Sequence, residues 1–263
     1  MMPRMMCATQ LASPATEPMF RRMLASALFA GAAAGLIAAL LHFAFVQQLI
    51  LQGEQYETGV ITHFTTGSAL ATAETGHSHG TDTAEAEHSH DHGAAPSDLQ
   101  RNGLTVLFMG LVYIAYGMLL TAGFGLAKSM GQRIGPAQGL LWGLAGFATF
   151  QLAPAMGLAP ELPGTIAAEL GARQVWWWGT VAATGTGVGM LAYGKQLWMF
   201  VLAGVLLAAP HVIGAPQPEA YFGAAPPELA AAFTARVLGT GLAVWACLGW
   251  LAGHFWSRPA TAV

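Results

Sequence analysis

The stretch MLASALFAGAAAGLIAALLHFAFV, residues 23–46, carries no formally charged side chain. It is rich in Ala and Leu, and it is long enough to cross a bilayer as one helix at about 20 residues per crossing. Arg21 and Arg22 precede it as a basic flank. A cleaved signal peptide has a similar flank, but this apolar run is too long for one and lacks a clear small-residue cleavage site. The reading is therefore an uncleaved membrane helix. Residues 1–18, with three prolines and no periodicity, read as an irregular leader before MFRRML, so Met19 is a candidate start.

Further apolar runs follow at 103–127, 138–158, 174–194, 196–213 and 237–256. Tyr193-Gly194-Lys195-Gln196 separates the fourth span from the fifth. The expected fold is all-α: a polytopic membrane bundle over residues 19–256, with about six transmembrane helices, five being the alternative, and a short tail at 257–263. Composition agrees. Charged residues are 9% of the 263 and hydrophobic residues 54%, against about 25% charged in a soluble domain. A net charge of −3 without a basic patch gives nucleic acid no footing. Cys7 and Cys247 form neither a disulfide framework nor a cysteine-based zinc site.

The basic residues give an orientation. With the N-terminus cytoplasmic, Arg4, Arg21, Arg22, Lys128, Arg133, Lys195 and Arg258 fall inside, and only Arg101, Arg173 and Arg236 fall outside. That is the bias of the positive-inside rule. Six spans return the C-terminus to the cytoplasmic side. Trp176, Trp177 and Trp178 near one interface and Trp142, Trp198 and Trp256 near the other read as aromatic anchors.

The first outer loop contains ETGHSHGTDTAEAEHSHDHG, residues 74–93. Its histidines His77, His79, His88, His90 and His92 alternate with small residues and carboxylates. Imidazole nitrogens beside carboxylate oxygens suit divalent cobalt, nickel, zinc or copper, and ligands on so small-residued a chain do not select among them. The expected role is to concentrate metal at an entrance; the bland alternative is a solvated, incidental tract.

The three outer loops share Gly-x-Ala-Pro, then an acid followed by leucine, then an arginine before the next helix: GAAPSDLQR to Arg101, GLAPEL with Arg173 closing the loop, and GAAPPELAAAFTAR to Arg236. Helix-start chemistry explains this pattern; a repeat of hairpins whose acid–arginine pairs surround a mouth explains it too. Inside the spans, His42 and His211 stand at similar predicted depth near the outer side, and His254 near the inner. Ionisable residues there are costly and so are ligand candidates, with hydrogen-bonded packing as the other reading. Glycines recur four apart, at Gly31 and Gly35, Gly139 and Gly143, Gly185 and Gly189, Gly249 and Gly253, which suits close helix crossings. No P-loop, no HExxH and no Gly-x-Ser-x-Gly occurs, so nothing in the chain hydrolyses ATP and an enzyme is the least expected class.

Four stretches carry a resemblance: FRRMLASALFAGAAAGLIAALL at 20–41, APELPG at 159–164, Arg173-Gln174 leading into Trp176-Trp177, and PHVIGAP at 210–216. Combined in this order, they resemble the CbtA family, cobalt transporter subunits of bacteria, over nearly the whole chain. The resemblance implies cobalt uptake linked to cobalamin synthesis. It also implies a small partner, CbtB, with one membrane span and a histidine-containing end. It carries over to Glu161, Arg173, Trp176, Trp177 and His211, and the family is usually described with five spans rather than six.

The expected protein is thus a multi-pass subunit of a bacterial inner-membrane cobalt(II) uptake system, with cobalt as substrate and no permanently bound cofactor. Metal gathered by the loop histidines passes Glu161 and Glu169 and loses water at His42 and His211. A non-conducting metal sensor or accessory protein, or an exporter of nickel, cobalt or zinc, are the alternatives.

Overall fold

The structure, a computed structural model, describes residues 16–62 and 98–258. The histidine-rich stretch 74–93 and most of the leader lie outside the described residues. Among the described residues there is no strand; eight α-helical segments and two π-helical ones join into six rods. α1 (Thr16–Leu41) runs through a π segment (His42–Val46) into α2 (Gln47–Glu57), so the first rod continues well past the apolar run. α3 is Asp98–Ser129. α4 (Pro136–Phe147) passes through a second π segment (Ala148–Leu152) into the single turn α5 (Ala153–Ala155). α6 (Leu170–Tyr193), α7 (Leu197–Ile213) and α8 (Pro227–Ser257) complete the chain.

The ends follow from local chemistry. Pro136 and Pro227 sit in the first turns of α4 and α8, where a missing N–H costs nothing. The Gln138 side chain reaches back to accept from the Gly135 N–H at 3.2 Å. Asp98 opens α3 and Lys128 lies in its last turn, both favourable to the helix dipole. Gly214, at φ +85°, ends α7 in a backbone conformation that side chains disfavour.

Glycine decides how closely the rods pack. Gly35 faces Gly110 of α3, where a Cβ would stand 2.7 Å from the Gly110 Cα. Gly139 and Gly143 face Gly249 and Gly253 of α8; a Cβ on Gly139 would stand 2.8 Å from the Gly253 Cα. These are two antiparallel backbone-to-backbone crossings, α1 on α3 and α4 on α8. α1 also packs on α8, and between them lies a core of Tyr113, Phe124, Val244, Trp245 and Leu248. α6 and α7 pair with each other, and among the described residues α7 packs on no other helix. Successive rods alternate in direction, so Thr16 and Ser257 lie at one end of the bundle. α2 and the long connections before α6 and α8 lie at the other, here called the loop end.

At the loop end those two connections are tied together. Thr165 bridges Gly223, and the Ile166 N–H donates to the Phe222 carbonyl at 2.9 Å. Leu162 is buried beneath them with Val46, Leu49 and Phe233.

Three helical rods, Met19–Glu57, Asp98–Ser129 and Pro227–Ser257, are long and apolar enough to cross a membrane by length and composition; Leu197–Ile213 is apolar but shorter. Large apolar side chains such as Phe29, Leu40, Leu107, Phe108, Val201 and Val205 are exposed along the rods. In water such a surface would drive association; in lipid it is the expected exterior. The tryptophans divide in a way their spacing did not show. Trp178 and Trp198 are exposed, but Trp256 is only 3% exposed and meets Phe124 edge-on at 5.7 Å. Trp142 also meets Phe124 edge-on, because Gly123 leaves room for its ring. Trp256 is thus a core residue, and Trp142 is partly buried against the same core.

Candidate functional site

Two cavities meet near the loop end, and the residues that part them are informative. The outer one has a volume of about 410 Å³, and its lining includes Glu161, Arg173, Trp177, Phe150 and Gln151. Arg173 Nη2 donates to Glu161 Oε2 at 3.0 Å, so the acid and arginine of the second loop form the pair their pattern suggested. The Arg101 guanidinium lies 3.4 Å from both Glu54 and Asp98. Arg236 departs from the pattern: its Nη1 donates to the Phe45 carbonyl at 3.1 Å, inside the first π segment. Glu228 stands two helical turns away at the start of α8, too far along the helix to be its partner.

The inner cavity, about 100 Å³, lies among α1, α3, α8 and the two π segments. His42, the first residue of one π segment, lines it, and so does Gln151 of the other. Tyr113, Met109 and Thr240 complete its polar and polarisable lining. Gly241 is the reason the amide fits, because a Cβ at that position would collide with Gln151 Oε1. That oxygen is enclosed and has no hydrogen-bond partner. Thr240 Oγ1 donates to the Arg236 carbonyl at 2.7 Å, leaving its lone pairs free to accept. Gln151 and Val237 line both cavities and are the wall between them.

On the far side, aromatic rings close the path. Phe150 and Trp245 stack with centroids 5.8 Å apart and planes 8° from parallel, and Tyr116 lies 4.6 Å from Trp245. Beyond them a third cavity of about 640 Å³ extends toward Gln132 and Arg133 at the opposite end.

The other expected residues fall elsewhere. Glu169 caps α6, accepting from the Gly171 and Ala172 N–H groups at 2.7 and 2.6 Å. Those two bonds favour the carboxylate and hold its pKa below the ordinary range. It lines neither cavity. Trp176 Nε1 donates to the Pro210 carbonyl at 3.2 Å, and His211 meets the Trp176 ring edge-on. Because α7 packs only on α6 among the described helices, the structure does not bring His211 to His42. His254, at the opposite end, stacks on Trp250 and lies 2.8 Å from Arg258. The five loop histidines lie outside the described residues, although Thr62 and Asp98, which flank that segment, are both at the loop end. Among the described residues no three His, Cys, Asp or Glu side chains cluster as metal ligands, so a metal held there would need mixed donors. Gln151, Thr240 and Tyr113 were not singled out in the sequence; the signal available was Gln151 as the one amide in the interior of the uncharged run 138–158, Gln138 being at its start.

An all-α bundle whose apolar rods suit lipid is the architecture of a polytopic membrane protein. The chain belongs to the CbtA family, described as "Probable cobalt transporter subunit (CbtA)", which matches residues 20–257. No curated protein and no solved structure is significantly similar to it. A transporter subunit implies further subunits, and the family gives cobalt as the transported ion.

Proposed function

We propose that this chain is the principal membrane subunit of a cobalt(II) uptake system in the bacterial inner membrane, supplying cobalamin synthesis. Both chain ends face the cytoplasm, the loop end faces outward, and the partner is a single-span CbtB-like subunit. His77, His79, His88, His90 and His92 gather the ion, the outer cavity beside Glu161 and Arg173 admits it, and His42 is its first ligand within the membrane. No resident cofactor takes part. The observation that carries this reading is the family membership, which names cobalt transport, joined to an outer cavity beside Glu161 that Gln151 and Val237 part from the cavity lined by His42.

The driving force is simple. An inside-negative membrane potential favours cation entry by about 2.3 kcal/mol per charge per 100 mV, and so by about twice that for a divalent ion. The chain contains no ATPase motif, and uptake by this route needs none. A non-conducting metal-binding accessory protein is the second reading, favoured by the absence of a three-residue ligand cluster among the described residues.

Radioactive cobalt accumulation tests the choice, in cells expressing the chain with and without the single-span partner and with nickel and zinc as competitors. Accumulation above the vector control is expected. Alanine at all five loop histidines should lower uptake at scarce cobalt and leave the rate at saturating cobalt unchanged. Protein present in the membrane with no accumulation, or with faster cobalt loss, would replace uptake by the accessory or exporter reading.

A further inference from the structure

We infer that the inner cavity is a coordination site for a partly dehydrated divalent transition cation, with the Gln151 amide oxygen and the His42 imidazole as its principal ligands. The inference rests on the transport reading for its ion. The site itself stands on four observations.

Gln151 Oε1 is enclosed by protein and has no hydrogen-bond partner. In a membrane core no bulk water relieves such an acceptor, so it calls for an ion or an ordered water opposite it. The same cavity is lined by suitable donors: the His42 imidazole, a hydroxyl oxygen at Thr240 and a thioether at Met109, together with the Tyr113 hydroxyl. Imidazole nitrogen with amide and hydroxyl oxygen suits borderline divalent ions rather than magnesium or calcium, which take oxygen alone.

Geometry points the same way. His42 and Gln151 both come from π segments, in which the bond from Gln47 N–H to the His42 carbonyl, and that from Ala153 N–H to the Ala148 carbonyl, each span five residues. Such segments are rare and are frequent at functional sites. Here two of them border one cavity. The volume of about 100 Å³ exceeds the roughly 10–15 Å³ that one water requires, so an ion fits with a few of its waters but not with bulk solvent. Gly241 is the fourth observation, since any side chain there would take the place of the amide oxygen.

Among the described residues no carboxylate lines the cavity, and Arg236 is tied to the Phe45 carbonyl at the loop-end rim. The site therefore holds its ion through neutral donors and releases it readily, as a conduction site must. The Phe150–Trp245 stack lies between it and the opposite end, which makes the observed state one closed on that side.

The experiment uses the full-length chain purified with alanine at the five loop histidines, so that loop binding does not mask the cavity. Equilibrium binding of cobalt(II) chloride is measured for this parent and for Gln151→Leu, Gln151→Glu and His42→Ala in the same background. The parent is expected to bind one cobalt. Gln151→Leu and His42→Ala should weaken binding by about tenfold or more, and Gln151→Glu, which adds a charge to the ligand, should tighten it by about as much. Gln151→Leu removes an unsatisfied acceptor and so should fold at least as well as the parent, which keeps the test decisive if the glutamate variant does not fold. A parent that binds no cobalt at millimolar concentration, or binding indifferent to both Gln151→Leu and His42→Ala, would overturn the site. Cells that accumulate cobalt while those substitutions are silent reject the site and leave uptake standing. A chain that binds cobalt at the cavity in cells that accumulate none rejects uptake and leaves the site.

Discussion

Glu169 and Gln151 show how far a polar side chain's role depends on what lies opposite it. Both Glu169 oxygens are engaged by backbone N–H groups of the α6 first turn, and these lower its pKa. With the folded pKa below the unfolded one, the stabilisation is complete above the ordinary carboxylate range and is lost as pH falls through the folded value. Glu169→Gln should therefore lower the melting temperature of the purified protein at pH 7, and the difference should shrink below about pH 4. A difference constant from pH 7 to pH 3 would show that the charge of the cap contributes nothing. Gln151 is the opposite case, an enclosed acceptor with nothing opposite it. His42 was visible in the sequence because an ionisable residue in an uncharged run is conspicuous. Gln151 was not, because its significance comes from an absent side chain at Gly241, on a helix distant in sequence.

At the scale of elements, equal spacing conceals unequal packing. Gly139, Gly143, Gly249 and Gly253 bring two backbones together, and Gly31 with Gly35 does so against α3. Gly185 and Gly189 have the same spacing but meet little: a Cβ on Gly185 would touch only the Thr149 side chain at 3.3 Å, and one on Gly189 would meet nothing within 4 Å. Gly143→Ala should accordingly destabilise the protein by about 1–3 kcal/mol through overpacking, since its Cβ would lie 3.0 Å from the Gly249 Cα and closer still to the Trp245 carbonyl. Gly189→Ala should be neutral within about 0.5 kcal/mol. Thermal unfolding of both variants in one detergent checks this; equal losses would contradict the assigned crossings. Neither π segment was legible beforehand, because HFAFV and ATFQL have the composition of ordinary apolar helix. A π turn is imposed by packing against neighbours rather than by local propensity. The outer acid–arginine motif was legible as a pattern, and it holds as an ion pair in the first two loops, Arg101 with Asp98 and Arg173 with Glu161, whereas Arg236 turns to a backbone carbonyl.

For the molecule as a whole, six rods were readable because uncharged runs and clustered basic residues mark where a chain can and cannot enter lipid. Their grouping was not readable. The core of α1, α3, α4 and α8, with α6 and α7 set to one side, depends on which glycines meet, and this separates His211 from the cavity that holds His42. The central claim, that this chain conducts cobalt inward under the membrane potential, is tested most directly in vesicles. The full-length chain, with its single-span partner, is reconstituted and a potassium diffusion potential of chosen sign is imposed while radioactive cobalt uptake is followed. An inside-negative potential should accelerate uptake, a reversed potential should suppress it, and Gln151→Leu should slow it at either sign. Uptake indifferent to the potential, or no faster than in vesicles without the protein, would contradict the account.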